Sequence, residues 1–242
     1  MKAIKFLDKL KHIERPVFGT EDAIRILNKP RQYVTLYLHR LERQQLVKRI
    51  EKGKYCLFDI NDKVIASNLV FPSYISLWMA FHTHHLTTQL PITIQVITSR
   101  QRKLLKTDSL DIEFIKFKPK HIFGYKKERV SLGYFYIAEK EKAVIDSLYL
   151  NRGPDLDDIC NALNECDLKK LEQYAIDMDS EVLIRRLGYL LERSGITVPA
   201  SFSCIKSRKI ILLNPSLPKK GEKNKRWKLI VNYRFDEYDK KG

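Results

Sequence analysis

Side chains that can read DNA bases recur along one segment, residues 30–58. Gln and Arg can each make two parallel hydrogen bonds to the edge of adenine or guanine, and Thr and His can each donate or accept one. Such residues follow one another here at alternating spacings of four and three. The row consists of Gln32, Leu36, His39 and Arg43, flanked by Thr35 and Arg40. Because this spacing keeps side chains on one face of a helix, the pattern predicts contact with base edges, with Arg40 better placed for phosphate.

The element that must position this row is a helix followed by a hairpin. Val34, Leu38 and Leu41 have the spacing of a buried stripe, about half a turn away from the polar row. Residues 46–51 and 54–58 then read as two strands around Lys52-Gly53, a tight-turn signal whose glycine can adopt positive φ. The predicted DNA-binding residues of this hairpin are Lys48, Arg49, Lys52, Gly53 and Lys54.

Two further helices precede this segment. Residues 3–13 have helical apolar spacing, and a second helix should run from a Thr20 hydroxyl cap to about Leu27. Pro30 then stands at the first position of the third helix. Three helices and a hairpin within residues 1–65 predict a winged helix-turn-helix domain. The alternative is a small amphipathic bundle, which needs neither the glycine hairpin nor outward-facing residues that can read bases.

The distribution of charge favours a polyanionic partner. The 242-residue chain has a net charge of +16. Residues 1–65 carry 15 basic and 8 acidic side chains, residues 66–205 carry 18 and 17, and residues 206–242 carry 12 and 4. The middle of the chain is therefore close to neutral and both ends are basic, as in proteins that bind nucleic acid.

Cysteine and hydropathy patterns suggest no metal site, cofactor, disulfide framework or membrane segment. The four cysteines are not paired at C-x-x-C spacing, and they are Cys56, Cys160, Cys166 and Cys204. Residues 1–10 are charged and amphipathic rather than a signal sequence, and no apolar run is long enough to cross a bilayer. We expect a cytoplasmic protein with reduced thiols.

The rest of the chain predicts a second, mixed domain. Residues 61–63 read as the domain boundary, and an apolar helix should begin at residues 72–73 with Ser73 as its cap. Strands are predicted at residues 92–98, 112–117 and 130–136, with a turn at 126–128; helices at 138–150, 155–163, 168–178 and 181–193; and tail strands at 209–213 and 227–232 around a basic loop at 215–226. The predicted fold is α+β, with a winged helix-turn-helix at residues 1–65 and a mixed α/β domain with a small sheet, several helices and a basic tail at residues 66–242.

Catalytic constellations are scarce, so we expect no enzymatic activity. The sequence has no glycine-rich phosphate loop and no nucleophile elbow. His82, His84 and His85 could act as metal or acid–base groups, but a core helix with a polar last turn explains them better. Asp146 could be a buried functional carboxylate, although an exposed or capping position is the favoured interpretation.

Four segments resemble a known family. Residues 72–103 with a T-x-Q-x-P turn at 87–91, FGYKKERV at 123–130, YIAEKEKAVIDSLYL at 136–150 and residues 213–232 are similar to AbiEi proteins, the antitoxin half of AbiE abortive-infection toxin–antitoxin systems. The resemblance implies an N-terminal winged helix that binds inverted repeats in its own promoter. It also implies a C-terminal domain that counteracts a nucleotidyltransferase-type toxin without forming a stable complex with it.

The resemblance also implies an antitoxin surface formed by a basic patch. The residues that offer matching chemistry are Lys126, Lys127, Arg129, Lys219, Lys220, Lys223, Lys225 and Arg226. Two other functions remain open. One is a module that binds structured RNA or an acidic protein through the basic ends, and the other is an enzyme such as a phosphotransferase acting on the toxin, which the lack of a phosphate loop disfavours.

Overall fold

The protein folds as a mixture of helices and small sheets, and the computed structural model describes residues 3–107 and 111–235. This mixed composition agrees with the predicted α+β class. The helices are α1 (Ala3–His12), α2 (Thr20–Leu27), α3 (Arg31–Arg43), α4 (Asp62–Asn68), α5 (Leu77–Thr83), α6 (Lys140–Leu150), α7 (Leu156–Leu163), α8 (Leu168–Asp177) and α9 (Glu181–Arg193). The strands are β1 (Val17–Gly19), β2 (Val47–Glu51), β3 (Lys54–Leu57), β4 (Ser73–Ile75), β5 (Thr93–Thr98), β6 (Asp111–Lys116), β7 (Tyr125–Val130), β8 (Gly133–Ala138), β9 (Ile211–Leu212), β10 (Glu222–Asn224) and β11 (Leu229–Val231). No helix within these described ranges is long and apolar enough to span a membrane.

The chain divides into two compact units. Unit 1 contains the residues up to Ile75 together with Ile92–Ile137, and unit 2 contains Ser76–Pro91 together with the residues from Ala138 onward. These units do not follow the predicted division after residue 65. The physical reason is that β4, which comes after that position, pairs with both β5 and β8 in one sheet of unit 1.

An apolar core holds α1, α2 and α3 of unit 1 together with the hairpin of β2 and β3. The predicted stripe of α3 is fully buried, with Val34 and Leu38 at 0% exposure and Leu41 at 2%. These residues pack in one cluster with Phe6 and Phe18. Burying one Val or Leu side chain stabilises a fold by about 1.5–3 kcal/mol, so the stripe determines which face of α3 remains outside.

The start of α2 is capped by a carboxylate rather than by the predicted threonine. Gly19 occupies the N-cap position, and its N–H donates to Asp22 Oδ2 at 2.9 Å. Thr20 is already the first helical residue, and its hydroxyl lies 3.5 Å from the carbonyl oxygen of Gly53. The predicted Thr20 cap was wrong, because Asp22 in the first turn accepts from the N–H of the N-cap residue Gly19 instead.

A strand that the sequence did not reveal, β1, completes a three-stranded sheet in the order β1-β3-β2. Its register pairs Val17 with Cys56 and Gly19 with Lys54. Three residues are too few to display an alternating pattern. The predicted hairpin is confirmed, and Gly53 in its turn has φ of 77°.

Strands β4 to β8 form a five-stranded sheet in the order β6-β5-β4-β8-β7. The predicted strands that became β5 and β6 are confirmed, and those two strands run parallel. Residues 73–75 form a strand, so the predicted helix start there was wrong; helix α5 begins at Leu77, after Ser76 at its N-cap. All three residues of β4 are buried, which removes the polar alternation that marks a strand.

Two polar stretches of unit 1 also differ from their predictions. Residues 61–63, predicted as the domain boundary, contain the start of α4, where Oδ1 of the N-cap residue Asn61 accepts from the Lys63 N–H at 2.9 Å. Residues 126–128, predicted as a turn, lie within β7 at the edge of the sheet. Charged side chains are common on edge strands, and there they hide the strand pattern.

Unit 2 consists of α5 to α9 and a small C-terminal sheet in the order β10-β11-β9. The helices predicted at residues 138–150, 155–163, 168–178 and 181–193 are confirmed as α6 to α9 within the usual one or two residues at each end. The predicted basic loop at 215–226 contains β10, which pairs antiparallel with β11, so it is a hairpin arm rather than a loop. Gly188 of α9 allows Trp227 to pack against it, because a Cβ there would lie 2.1 Å from the indole ring.

Candidate nucleic-acid interface

The outward face of α3 carries every side chain that the sequence assigned to base reading. The exposed residues of this face are Gln32, Thr35, Leu36, His39, Arg40 and Arg43. They lie opposite the buried stripe on a helix of 13 residues, which is about 20 Å long. The sequence therefore located an exposed, largely polar face with Leu36 in its middle, and the apolar core behind it keeps that face turned to solvent.

Two residues of this face have local partners that limit the contacts they can make. The Thr35 hydroxyl donates to the Arg31 carbonyl oxygen at 2.9 Å, so it can offer only its lone pairs to a base. His39 Nδ1 lies 3.8 Å from a Glu42 carboxylate oxygen, so this acid competes with a base for that side of the ring. Gln32 and Arg43 thus have the chemistry best suited to paired contacts with adenine and guanine.

The four cations of the β2–β3 hairpin are not equivalent. Arg49 and Lys52 are exposed, with Lys52 in the turn itself, whereas Lys48 is half-buried. Lys54 is engaged by the protein, since its Nζ donates to the Leu69 carbonyl oxygen at 2.7 Å and lies 3.3 Å from Glu51 Oε1. The exposed cations of the hairpin are therefore Arg49 and Lys52, whereas the ammonium group of Lys54 is engaged within unit 1.

The hairpin is also anchored from behind. Arg102 Nη2 donates to Glu51 Oε2 at 2.6 Å, and its guanidinium lies over the Phe114 ring, 4.8 Å from the ring centroid. Glu51 thus joins Lys54 and Arg102 in one small ionic network within unit 1. This network orients the base of the hairpin, and Lys52 and Gly53 at the hairpin tip are not part of it.

The basic residues of β7, which the family resemblance assigned to the antitoxin surface, are paired with acids. Lys127 and Arg129 both donate to the Glu14 carboxylate, at 3.0 and 2.9 Å, and these two hydrogen bonds lower the pKa of Glu14. Lys126 lies 2.6 Å from Glu128. Pairing of this kind reduces the charge that these residues can present to a polyanion, although Arg129 remains largely exposed.

The basic residues of the tail lie on the arm that leads into β11. Lys219, Lys220, Lys223 and Lys225 are exposed. Arg226 differs from them, because its Nη1 donates to Glu192 at 2.7 Å. The arm is held by Asn232, whose Nδ2 donates to the carbonyl oxygens of Asn214, Leu217 and Pro218 at 2.7, 3.2 and 3.1 Å. Four lysines therefore stand on an ordered arm in unit 2, whereas the cations of β7 belong to unit 1.

The histidine cluster lies at the end of α5. His84 is the C-cap residue, and its Nε2 donates to the Ala138 carbonyl oxygen at 2.7 Å. His85 is exposed and has φ of 59°. Among the described residues, no group of three or more His, Cys, Asp or Glu side chains is placed to hold a metal ion.

Asp146 is buried, so the exposed or capping position favoured from the sequence was wrong. Its carboxylate pairs with Lys142 one helical turn earlier, and it accepts from the Ser76 hydroxyl at 2.8 Å. All three residues are fully enclosed in unit 2. Burial lowers the pKa of Lys142, and the facing carboxylate opposes that shift. The enclosure gives this group no access to a substrate, so its role is structural.

Two buried arginines of α9 were also not predicted from the sequence. Arg185 donates to the carbonyl oxygens of Trp227 at 2.8 Å and Lys209 at 2.7 Å. Arg186 donates to the carbonyl oxygens of Leu148 and Leu212 at 3.3 Å. Their charge serves the fold rather than a ligand. The only signal for this in the sequence was their position inside an apolar helical stripe.

Comparison with known proteins adds evidence on the fold. No family model and no curated protein matches the chain. A solved structure, that of the RV2827C protein from Mycobacterium tuberculosis, is similar with a TM-score of 0.61 at 12% sequence identity. The similarity covers 94% of this chain and 90% of that one. At this identity the likeness concerns the fold alone.

Proposed function

We propose that the chain is a DNA-binding transcriptional repressor whose α3 and β2–β3 hairpin act as the recognition helix and wing of a winged helix-turn-helix. The observation that carries this proposal is the exposed polar face of α3 opposite its buried stripe. An α-helix fits the major groove of B-DNA, about 12 Å wide, where side chains meet base edges directly. The exposed cations at the hairpin tip then supply phosphate contacts that do not depend on sequence.

We further propose, on the resemblance to AbiEi proteins, that the DNA bound is an inverted repeat in the protein's own promoter. The same resemblance supports an antitoxin activity against a nucleotidyltransferase-type toxin, without a stable complex between the two proteins. The exposed lysines of the arm at residues 219–225 are the chemistry in unit 2 that best suits this role. The proposal assigns the chain no catalytic role and no cofactor.

A second candidate function is a non-enzymatic module that binds RNA or an acidic protein. The observation that favours it is the same ordered arm with four exposed lysines, because such a surface attracts any polyanion. The two functions differ in their preferred ligand. A binding protein of this second kind should hold structured RNA more tightly than the duplex upstream of its own coding sequence.

The test of DNA recognition measures binding of the full chain to that upstream duplex and to random duplex by gel shift, with structured RNA as a third ligand. Gln32→Ala and Arg43→Ala should each weaken binding to the upstream duplex by about 1–3 kcal/mol, the value of one bidentate base contact. Binding to random duplex should stay the same. Gln101→Ala and Arg100→Ala are matched controls, since both side chains are exposed in unit 1 and belong neither to α3 nor to the β2–β3 hairpin.

Equal losses on the specific and random duplexes would remove the base-reading assignment. Tighter binding of the RNA than of the upstream duplex would instead favour the second candidate function.

The antitoxin activity is tested by growth rescue of cells that express the toxin, at matched protein levels. Replacing Lys219, Lys220, Lys223 and Lys225 by Gln should reduce rescue. The matched control carries four Gln substitutions at exposed lysines of unit 1, which are Lys103, Lys106, Lys116 and Lys118. Full rescue by the first variant, or equal loss in both, would show that the arm is not the antitoxin surface.

A further inference from the structure

A cavity of about 410 Å³ opens in unit 1 at the base of the β1–β3–β2 sheet. One wall is the chain entering β1 and the other is formed by α4 and β8. The two walls meet closely at Gly133, whose φ is 137° and whose Cβ, if present, would lie 3.0 Å from Pro16 Cβ. The volume lies within the range of about 300–1,000 Å³ that is usual for small-ligand sites.

Aromatic rings line one side of this cavity. Phe71 is 66% exposed, which is unusual for a phenylalanine, and its ring centroid lies 6.5 Å from that of Tyr136. Tyr136 in turn meets Tyr134 edge-on at 5.5 Å. Phe71 is therefore supported from one side by packed rings while much of its surface faces solvent. An exposed ring held in this way is suited to stacking with another flat ring.

A polar group of fixed orientation lies in the same wall. Asn68 Nδ2 donates to the carbonyl oxygens of Val64 at 2.9 Å and Tyr134 at 2.8 Å. Carbonyl oxygens accept only, so these bonds identify the nitrogen and orient the side-chain amide. Among the described residues, its hydrogen bonds all use Nδ2, which leaves Oδ1 to accept from the amino group of a base.

Arg15 is the cation among the residues that line the cavity. It is 55% exposed, and its bond to Asp22 at 2.5 Å uses one of the five N–H donors of a guanidinium. Lys127 does not line the cavity, but its Nζ lies 3.7 Å from the ring centroid of Tyr134, which does. The combination of an exposed ring, a base-reading amide and nearby cations complements a nucleotide.

We propose that this cavity takes an unpaired nucleobase of a single-stranded nucleic acid, with the base stacked on Phe71, its edge bonded to Asn68 and its phosphate contacted by Arg15. The site is separate from the duplex-binding face proposed above. Val17 beside the cavity pairs with Cys56, three residues from the hairpin turn at Gly53. At about 3.3 Å per residue, Val17 therefore lies about 10 Å along the strand from the hairpin tip.

The test uses the full chain and short single-stranded oligonucleotides containing 2-aminopurine, whose fluorescence falls when the base stacks on an aromatic ring. Wild-type protein should quench the probe. Phe71→Leu keeps an apolar side chain but removes the π-face, so it should abolish quenching and weaken binding about 5- to 150-fold. That range is the stacking energy of about 1–3 kcal/mol converted at 1.4 kcal/mol per tenfold.

Phe58→Leu is the matched control, because Phe58 is a 39% exposed phenylalanine of unit 1 that does not line the cavity. It should bind and quench as the wild type does. Arg15→Gln should weaken binding and flatten its salt dependence while leaving the quenching of bound probe intact. Identical behaviour of the Phe71→Leu and Phe58→Leu proteins, or no quenching by the wild type, would overturn the proposal.

Competition experiments distinguish the source of the base and the two proposed sites. Displacement of the oligonucleotide by its own nucleoside monophosphates at similar concentration would identify a free nucleotide as the occupant and overturn the single-strand assignment. Gln32→Ala should leave probe quenching unchanged, because α3 does not line the cavity. Loss of upstream-duplex binding with intact quenching would therefore refute only the duplex proposal, and the reverse result would refute only this one.

Discussion

The clearest quantitative consequence of the structure concerns the unequal cations of the hairpin. Each protein cation that neutralises a phosphate of B-DNA contributes about 0.9 to the slope of log affinity against log salt. Lys52 is exposed at the turn, whereas the ammonium group of Lys54 is bonded to Leu69 and Glu51. We therefore expect Lys52→Gln to reduce the slope by about 0.9 and Lys54→Gln to leave it unchanged.

The size of this effect is measurable. Raising salt from 50 to 200 mM is a fourfold change, so a contact worth 0.9 in slope corresponds to about a 3.5-fold difference in affinity loss over that range. Fluorescence anisotropy with a labelled random duplex at four salt concentrations gives each slope. Arg49→Gln serves as a second test, since Arg49 is exposed and should behave like Lys52.

The refuting result is specific to this reasoning. If Lys54→Gln lowers the slope as much as Lys52→Gln does, the ammonium of Lys54 leaves its bond to Leu69 when DNA binds, and the distinction drawn from the free protein does not hold. If neither variant changes the slope, the hairpin does not contact phosphate and the wing assignment is wrong.

Three further predictions concern stability and thiol chemistry. Gly188→Ala places a Cβ within 2.1 Å of a packed indole ring, so urea denaturation should show a loss of about 1–3 kcal/mol from overpacking. Asp146→Ala leaves the buried ammonium of Lys142 without its carboxylate and should lower the free energy of unfolding by about 3–5 kcal/mol. The double variant Lys142→Met with Asp146→Leu removes both charges and should lower it by less. Burial raises the pKa of Cys56 to about 12, so Ellman's reagent at pH 8 should modify exposed Cys204 quickly and Cys56 only on unfolding.

The parts of the fold that could be predicted from sequence are those with a long local pattern. Helix α3 shows its buried stripe over eight residues, and α9 shows its apolar face between Ser180 at its start and Gly195 past its end. The hairpin was visible because Gly53 marks its turn. In each case the signal lies within the element itself, so no knowledge of its neighbours was needed. The exposed face of α3 was predictable for the same reason, being the side that the buried stripe leaves free.

The parts that could not be predicted depend on neighbours distant in sequence. Strand β4 is central in its sheet because β5 and β8 pair with its two edges, and all three of its residues are buried. A short apolar run of that kind resembles the start of a helix. Asp146 reads as an ordinary helical acid, and only its packing against Lys142 and Ser76 shows that it is enclosed. The cavity beside Phe71 is likewise formed by segments fifty or more residues apart, which no local pattern records.

The order of the two units along the chain bears on how the proposed activities are organised. Contacts within unit 1 join the first 65 residues to later segments: Glu14 accepts from Lys127 and Arg129, and Glu51 accepts from Arg102. A cut after residue 65 would fall inside α4 and would break these ion pairs. Helix α3, which we propose reads the duplex, therefore belongs to the same compact unit as the five-stranded sheet, whereas the lysine arm belongs to unit 2. The chain leaves unit 1 at Ile75 and returns to it at Ile92, so no single cut separates the two units. Point substitutions therefore separate the two proposed activities better than truncation does.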